Sequence, residues 1–456
     1  MNNRSEERLG TEPLGKLIFS LAIPALMAQL VNLLYSLVDK IYIGHIADVG
    51  ALALTGLGLC TPIILIVSAF AAFAGYGGAP LAAMELGRGD REKASRILSM
   101  SCVMILFFSV VLTVLLIQVK RPLLYFFGAS DDTIGFSEQY LSVYLCGTIF
   151  VQAALGLNSF ISCQGQAKIA MLSIMIGAAS NIVLDPIFIF LFGMGVRGAA
   201  LATIISQCVS AAWVLRFLLS EKSAIRITPA YMKPDFRIIG RIASLGVSPF
   251  IMQSTECLIS IVFTSGLQNY GGDLYVGSYT ILQSVMQLVF IPTQGFCGGT
   301  QAIISYNYGA GNFGRVKKNL RIVTGISLAY TLGFYAFIAA FPRLIAGMFT
   351  DNAALLALAA EKLPLFMAGM SIFAFQLGAQ TTLMGMGRAK ASLFLACLRK
   401  IILLTPLALI LPRLGLGVDG IYAAEPISDA ISALTSLVLV AAVSRKYLSG
   451  PAPEKN

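Results

Sequence analysis

The sequence predicts an all-α polytopic membrane protein, with twelve transmembrane helices in two six-helix lobes related by a pseudo-twofold axis along the membrane normal. Three observations carry that expectation. The chain of 456 residues is 57% hydrophobic and 12% charged, about half the charged fraction of an ordinary soluble domain. Apolar runs recur along its whole length, each of about 20 residues and so able to cross about 30 Å of hydrocarbon. The two halves of the chain also repeat one another.

The expected spans cover residues 16–44, 52–77, 94–119, 138–163, 169–192, 198–219, 238–269, 277–305, 316–341, 358–386, 392–411 and 420–443. A polar tail, 1–14, precedes the first; it lacks the apolar core and small-residue cleavage site of a signal peptide, so the first span is expected to be retained. That span holds Pro24, Tyr35 and Asp39. The second and third are joined by "LGRGDREKA", where Glu85 and Asp90 read as solvated charge at a helix end. Asp131 and Asp132 lie in an external loop before the fourth span. The fifth contains "SNIVLDPIFIF", and the sixth opens near Thr203. A polar linker, 221–238, follows and is the longest such stretch. The seventh span carries Glu256, the tenth Gln376 and Gln380 but no acid, and the twelfth Glu425 and Asp429. The lobes are therefore expected at 15–220 and 239–447, with a C-terminal tail at 448–456.

The repeat is visible in three places. "GKLIFSLAIPALMAQL" from Gly15 matches "GRIASLGVSPFIMQST" from Gly240, with Pro24 opposite Pro249. "LGRGDREKASRIL" matches "YGAGNFGRVKKNLRI", which sets Gly87 and Gly89 opposite Gly309 and Gly311. "QGQAKIAML" from Gln164 matches "MGRAKASLF" from Met386. The separation stays between 222 and 225 residues throughout. Six spans return the chain to its starting side, so both repeats insert the same way up. Two such bundles suit alternating access, one rocking against the other.

The formal charge of +10 does not point to nucleic acid. With the two tails and the loops after even-numbered spans taken as one side, that side holds 25 of the 32 basic residues, Arg399 and Lys400 included. Cytoplasmic loops carry such an excess, which places both termini inside. The eight cysteines lie almost entirely within spans with no C-x-x-C spacing, and read as packing residues rather than a disulfide or zinc framework.

Enzyme motifs are missing. There is no G-x-x-x-x-G-K-[ST] to cradle ATP, no H-E-x-x-H and no G-x-S-x-G, and His45 is the sole histidine. The chain is expected not to be an enzyme and to need no cofactor. Uphill movement would draw on an ion gradient, worth about 2.3 kcal/mol per elementary charge per 100 mV.

Carboxylates inside the spans are few: Asp39 and Asp185 in the first half, Glu256, Glu425 and Asp429 in the second. Such groups are costly in hydrocarbon and point to function. Asn181 and Asp185 share a helix face, and Pro186 frees an upstream carbonyl beside them. These oxygens suit a hard cation such as Na⁺ at Asp39, Asn181 and Asp185, and suit a hydrated protonatable pocket equally. Asp39, Asp185 and Thr203 all fall in the outer half by rise along their helices. The plainer alternative has Asp39 neutralising Lys40 and Asp185 capping a kink at Pro186.

"LVDKIYIGHI" followed by "ALALTGLGLCTPI", then "LGRGDREKA", "QGQAK" and "SNIVLDPIFIF" followed by "GVRGAALAT", together resemble the multidrug and toxic compound extrusion (MATE) transporters. The similarity runs through nearly the whole chain. It implies an antiporter of a bacterial inner membrane that exports amphipathic, often cationic compounds in exchange for H⁺ or Na⁺. In the DinF-like branch the resemblance implies an N-lobe ion site at Asp39, Asn158, Asn181, Asp185 and Thr203, with Tyr35 one turn before Asp39 and a bending role for Pro24. Glu256 resembles a C-lobe glutamate of the NorM-like branch. The missing tenth-span acid weighs against a C-lobe ion site and favours the N-lobe.

A cargo cleft is expected between the first, second, seventh and eighth spans, with Met252, Gln253, Glu256, Gln283, Met286 and Phe290 as lining residues; Met and aromatic side chains adapt to varied ligands. Expected partners are small amphipathic cations and membrane lipids, with no nucleic acid and a monomeric chain. A flippase of a lipid-linked intermediate on a related fold is the alternative; it would be expected to carry a cationic cleft.

Overall fold

The computed structural model describes residues 4–46, 49–350 and 352–448. Among them every regular element is helical. The helices are α1 (Arg4–Thr11), α2 (Leu14–Gly44), α3 (Gly50–Gly87), α4 (Arg91–Phe126), α5 (Asp131–Cys146), α6 (Thr148–Gln152), α7 (Asn158–Ser162), α8 (Ala167–Pro186), α9 (Val196–Leu219), α10 (Phe236–Gly271), α11 (Asp273–Gly309), α12 (Phe313–Ala340), α13 (Pro342–Gly347), α14 (Ala353–Met367), α15 (Met370–Gly385), α16 (Ala389–Cys397), α17 (Thr405–Ile410) and α18 (Gly417–Tyr447). Among the described residues ten helices are long and apolar enough to span a membrane, and with each of two bent pairs counted as one span the number is twelve. The fold is thus the expected all-α, twelve-helix, two-lobed membrane architecture.

Apolar side chains leave the protein surface in rows. On α4, Phe107 (62% exposed), Val110 (61%) and Val114 (55%) repeat at helical spacing. Surfaces of this kind are rare on soluble monomers and normal against lipid. Ends are set by local chemistry. Asp90 accepts from the Lys93 backbone N–H at 2.9 Å to start α4, and Asn352 accepts from Ala354 and Leu355 at 3.1 Å to start α14, satisfying donors that a helix start leaves orphaned.

The fourth and tenth spans are not the straight rods expected. The fourth bends by 64° between α5 and α6, and the tenth by 43° between α14 and α15. Gly147 sits at the first bend and Gly369 at the second, 222 residues apart and hence equivalent in the repeat. A Cβ on Gly147 would lie 2.4 Å from Ile204 of α9; one on Gly369 would lie 2.6 Å from Pro426 and Asp429 of α18. Each bend lets the span lean onto its neighbour where only hydrogen fits.

The chain forms two compact units, Met1–Thr11 with Met27–Phe250, and Glu12–Leu26 with Ile251–Asn456. Where the expected lobes take α2 and α10 whole, the units divide inside them, two residues after Pro24 and one after Pro249. In the first unit the opening half of α10 lies on α3: a Cβ on Gly246 would be 2.0 Å from the Phe73 carbonyl oxygen. In the second, the opening half of α2 lies on α11: a Cβ on Gly299 would be 2.7 Å from the Ala22 Cα.

The expected tail 1–14 contains α1, which is docked: Leu9 is fully buried and Glu6 is 5% exposed. The linker region 221–238 is likewise held to the first unit. Gln164 accepts from the Ser223 hydroxyl (3.0 Å) and the Ala224 N–H (2.8 Å), and Ile225 is fully buried. Of the expected tail 448–456, Leu448 is buried and the remainder lies outside the described residues.

Candidate functional site

Three spans depart from α-helical winding. Wide π-helical turns occupy Ala153–Leu157, Ile187–Leu191 and Leu398–Leu404. The first precedes Asn158, the second follows Asp185 and Pro186, and the third contains Arg399 and Lys400. Such turns free backbone groups and recur at functional sites.

In the first unit, Asp39 (8% exposed), Asn181 (1%), Asp185 (0%) and Thr203 (8%) are all buried. Asn181 Nδ2 donates to Asp185 Oδ1 at 3.2 Å. The carboxyl groups of Asp39 and Asp185 lie close enough to act on one another electrostatically. Asp39 Oδ1, Asp185 Oδ2 and Asn181 Oδ1 are buried with no donor. Two neighbouring carboxylates repel, and burial adds to the cost. A proton or a cation between them removes both penalties. The all-oxygen donor set fits a hard monovalent ion as well as a proton.

Tyrosines surround the pair. Tyr35, one turn before Asp39, lies close enough to both carboxylates to feel their charge. Tyr140 lies close to Thr203 and to Asp39; its ring stacks on Tyr144 at 5.9 Å. Neither Tyr140 nor Tyr144 was anticipated, although their i, i+4 spacing in an apolar span was visible. Lys40 is exposed where Asp39 is buried, and its ammonium still acts electrostatically on the Asp39 carboxylate. Asn158 is not brought to the carboxylates. Its Nδ2 donates to the Ala170 carbonyl at 3.3 Å and its Oδ1 accepts from Ser173 at 3.1 Å. Ser173 is eight residues before Asn181, about 12 Å along the helix.

In the second unit a cluster of buried charges corrects the reading of Arg399 and Lys400 as cytoplasmic loop residues. They are 7% and 4% exposed and lie in the middle of the Ala389–Leu414 span; without them the same side of the chain still carries most of the basic residues. Arg399 donates to Glu425 (2.7 Å) and to Asp429 (2.6 Å), one turn apart on α18, and its guanidinium sits 4.4 Å over the Phe373 ring. Lys400 pairs with Glu256 and donates to the Met252 carbonyl at 2.8 Å. Among the expected cleft residues, Phe290 packs 5.8 Å from Phe373, Gln283 donates to the Tyr279 hydroxyl, and Gln253 and Met286 are half-buried. Gln380 of the tenth span donates to Ser392 at 2.8 Å.

Among the described residues no group of three or more His, Cys, Asp or Glu side chains could hold a metal ion. The chain matches the MatE family model twice, over residues 24–187 and 249–410, and the two starting points are the repeat-related prolines. It is 24% identical to the multidrug export protein MepA of Staphylococcus saprophyticus over 92% of each chain, and 24% identical to MepA of Staphylococcus aureus over 94% of each. A solved structure of MATE in the bent conformation superposes with a TM-score of 0.91 at 24% identity, covering 98% of this chain and 100% of that one. The outward-facing conformation of a multidrug resistance MATE family transporter of the MOP superfamily superposes with a TM-score of 0.89 at 24% identity, with the same coverage.

Proposed function

Because the chain belongs to the MatE family, we propose that it is a secondary active antiporter of a bacterial cytoplasmic membrane, with both termini cytoplasmic. It exports amphipathic, often cationic compounds in exchange for H⁺ or Na⁺. The observation that carries this reading is the set of three buried acceptor oxygens on Asp39, Asp185 and Asn181 without a donor. The names of the MepA relatives support multidrug cargo. The saturated pairing of Arg399 with Glu425 and Asp429 weighs against a flippase, which needs cations free for a pyrophosphate.

In this mechanism an ion entering from outside neutralises the Asp39–Asp185 pair. The neutral pair favours one arrangement of α2, whose weak point is Pro24, where a helical hydrogen bond is missing. The outer half of α2 carries Asp39 in the first unit and its inner half belongs to the second, so bending of this helix bears on both. Ion-bound protein binds cationic cargo poorly. Reciprocity then requires cargo to weaken ion binding by the same factor. Met252, Gln253, Glu256, Gln283, Met286 and Phe290 form the C-lobe side of cargo recognition.

The test uses purified protein in liposomes, with dye efflux followed under an imposed Na⁺ gradient and, separately, an imposed H⁺ gradient. Wild-type protein is expected to respond to one of them and Asp39→Asn to neither, while dye still binds. Asp39→Asn with wild-type coupled efflux would remove Asp39 from the ion site.

A further inference from the structure

The C-lobe cluster has two halves of unlike character. Arg399 is locked by two carboxylates and an aromatic face. Lys400 holds one carboxylate, and the partners differ sharply in access: the Lys400 side chain is 5% exposed and that of Glu256 52%. The carboxylate lies half-exposed at the protein surface, whereas the ammonium is buried behind it. Asp429 Oδ2 is buried with no partner, and Lys400 lies close enough to act electrostatically on both Asp429 and Glu425. The cluster carries three acids against two bases, so one added positive charge makes it neutral.

We infer that Lys400 is a movable counter-ion. It neutralises Glu256 while no cargo is bound, and withdraws toward the unpartnered oxygen of Asp429 when a monovalent organic cation takes Glu256. The four-carbon lysine stem permits the move where a planar, forked guanidinium would resist it. The Met252 carbonyl holds the ammonium during the exchange. Arriving cargo thus never leaves a buried charge unpaired, which is the costly state. Charge selection follows: a neutral compound offers nothing to release Lys400, and an anion meets a carboxylate.

This inference rests on cationic cargo, and the test separates the two. Tetraphenylphosphonium binding to the purified full chain in detergent is measured calorimetrically, with no gradient. Removing the internal competitor in Lys400→Met is expected to tighten binding about tenfold, and Glu256→Gln to weaken it about tenfold. Adding Lys400→Met to Glu256→Gln is expected to give no gain, since the lysine acts only through that carboxylate. Lys400→Arg keeps the charge and covers the case in which Lys400→Met is not monodisperse; its forked grip on Glu256 is expected to weaken binding about fivefold. Wild-type binding with no gain in Lys400→Met, an equal gain on the Glu256→Gln background, or unchanged binding in Lys400→Arg overturns the proposal alone. No binding by the wild-type chain overturns it together with the cationic-cargo reading.

Discussion

Asn181 donates to Asp185 across one helical turn at 3.2 Å, and Asp185 Oδ2 and the single amide oxygen of Asn181 stay buried without a donor. The amide therefore does two things: it fixes one carboxylate oxygen and turns its own oxygen into the same pocket. Asn181→Leu removes both. A hydrogen bond to a charged group contributes about 1.5–3 kcal/mol, so the coupling ion's half-activating concentration is expected to rise about tenfold or more. Efflux titrated against Na⁺ or pH in liposomes checks this. An unchanged half-activation value would mean that Asn181 only packs.

Arg399 compensates two buried carboxylates, Glu425 and Asp429. Arg399→Met leaves both uncompensated, an error that costs about 3–5 kcal/mol. Lower thermal stability in detergent and reduced membrane yield are expected. Neutralising the acids as well, in Arg399→Met/Glu425→Gln/Asp429→Asn, is expected to restore most of the loss. A triple variant as unstable as the single one would show that Arg399 acts through Phe373 and the π-helical backbone instead.

Much of the fold was legible because hydrocarbon imposes length and periodicity on every span, and because Pro24 and Pro249 hold the register of the two halves. The bends at Gly147 and Gly369 were not, since a glycine inside an apolar run reads as packing until its neighbour is known. Arg399 and Lys400 fell inside the expected span 392–411, yet adjacent basic residues look like a loop unless a partner helix supplies carboxylates. Asp39 and Asp185 could be grouped from depth, and Asn181 joined them because it shares a helix face with Asp185. Tyr140 could not, because its closeness to Asp39 depends on how the fourth span packs. The placement of Asn158 against Ser173 likewise depends on the π-helical turn just before it.

Gly298 and Gly299 offer a contrast at adjacent positions. A Cβ on Gly298 meets nothing within 4 Å, while one on Gly299 would be 2.7 Å from the Ala22 Cα and 2.8 Å from the Leu21 carbonyl oxygen. Gly298→Ala is expected to be neutral or to stabilise by about 0.5–1 kcal/mol, from helix propensity. Gly299→Ala pushes the opening half of α2 off α11 and is expected to lower the melting temperature and impair transport. Equal effects of the two substitutions would argue against close backbone packing at Ala22.

Lys222 and Asp273 are both exposed, on opposite sides of α10. In a cysteine-free background, Lys222→Cys is expected to react with a membrane-impermeant maleimide only in inverted vesicles, and Asp273→Cys only from outside the cell. Ser223, next to Lys222, is 3% exposed and would be a poor reporter. Labelling of both positions from the same side would overturn the even-span topology.

Glu6 ties the docking of α1 to pH. It lines a cavity of about 460 Å³ together with Arg91, Ser95, Glu221, Arg226 and Tyr231. Its Oε1 is 3.6 Å from Arg91, too long for a hydrogen bond. Burial pushes its carboxyl above the usual value of 4.5, with Arg91 opposing the rise. The docked helix therefore holds the proton more tightly than a free one. Linkage gives the sign: docking is firmest below pH 4.5, weakens as pH rises through the elevated value, and levels off above it. Hydrogen exchange over residues 4–11, corrected for intrinsic rates, is expected to show less protection at pH 8 than at pH 5. Glu6→Gln has no proton to lose and is expected to flatten that dependence. A profile identical in wild type and Glu6→Gln would assign the pH response to another group on this face.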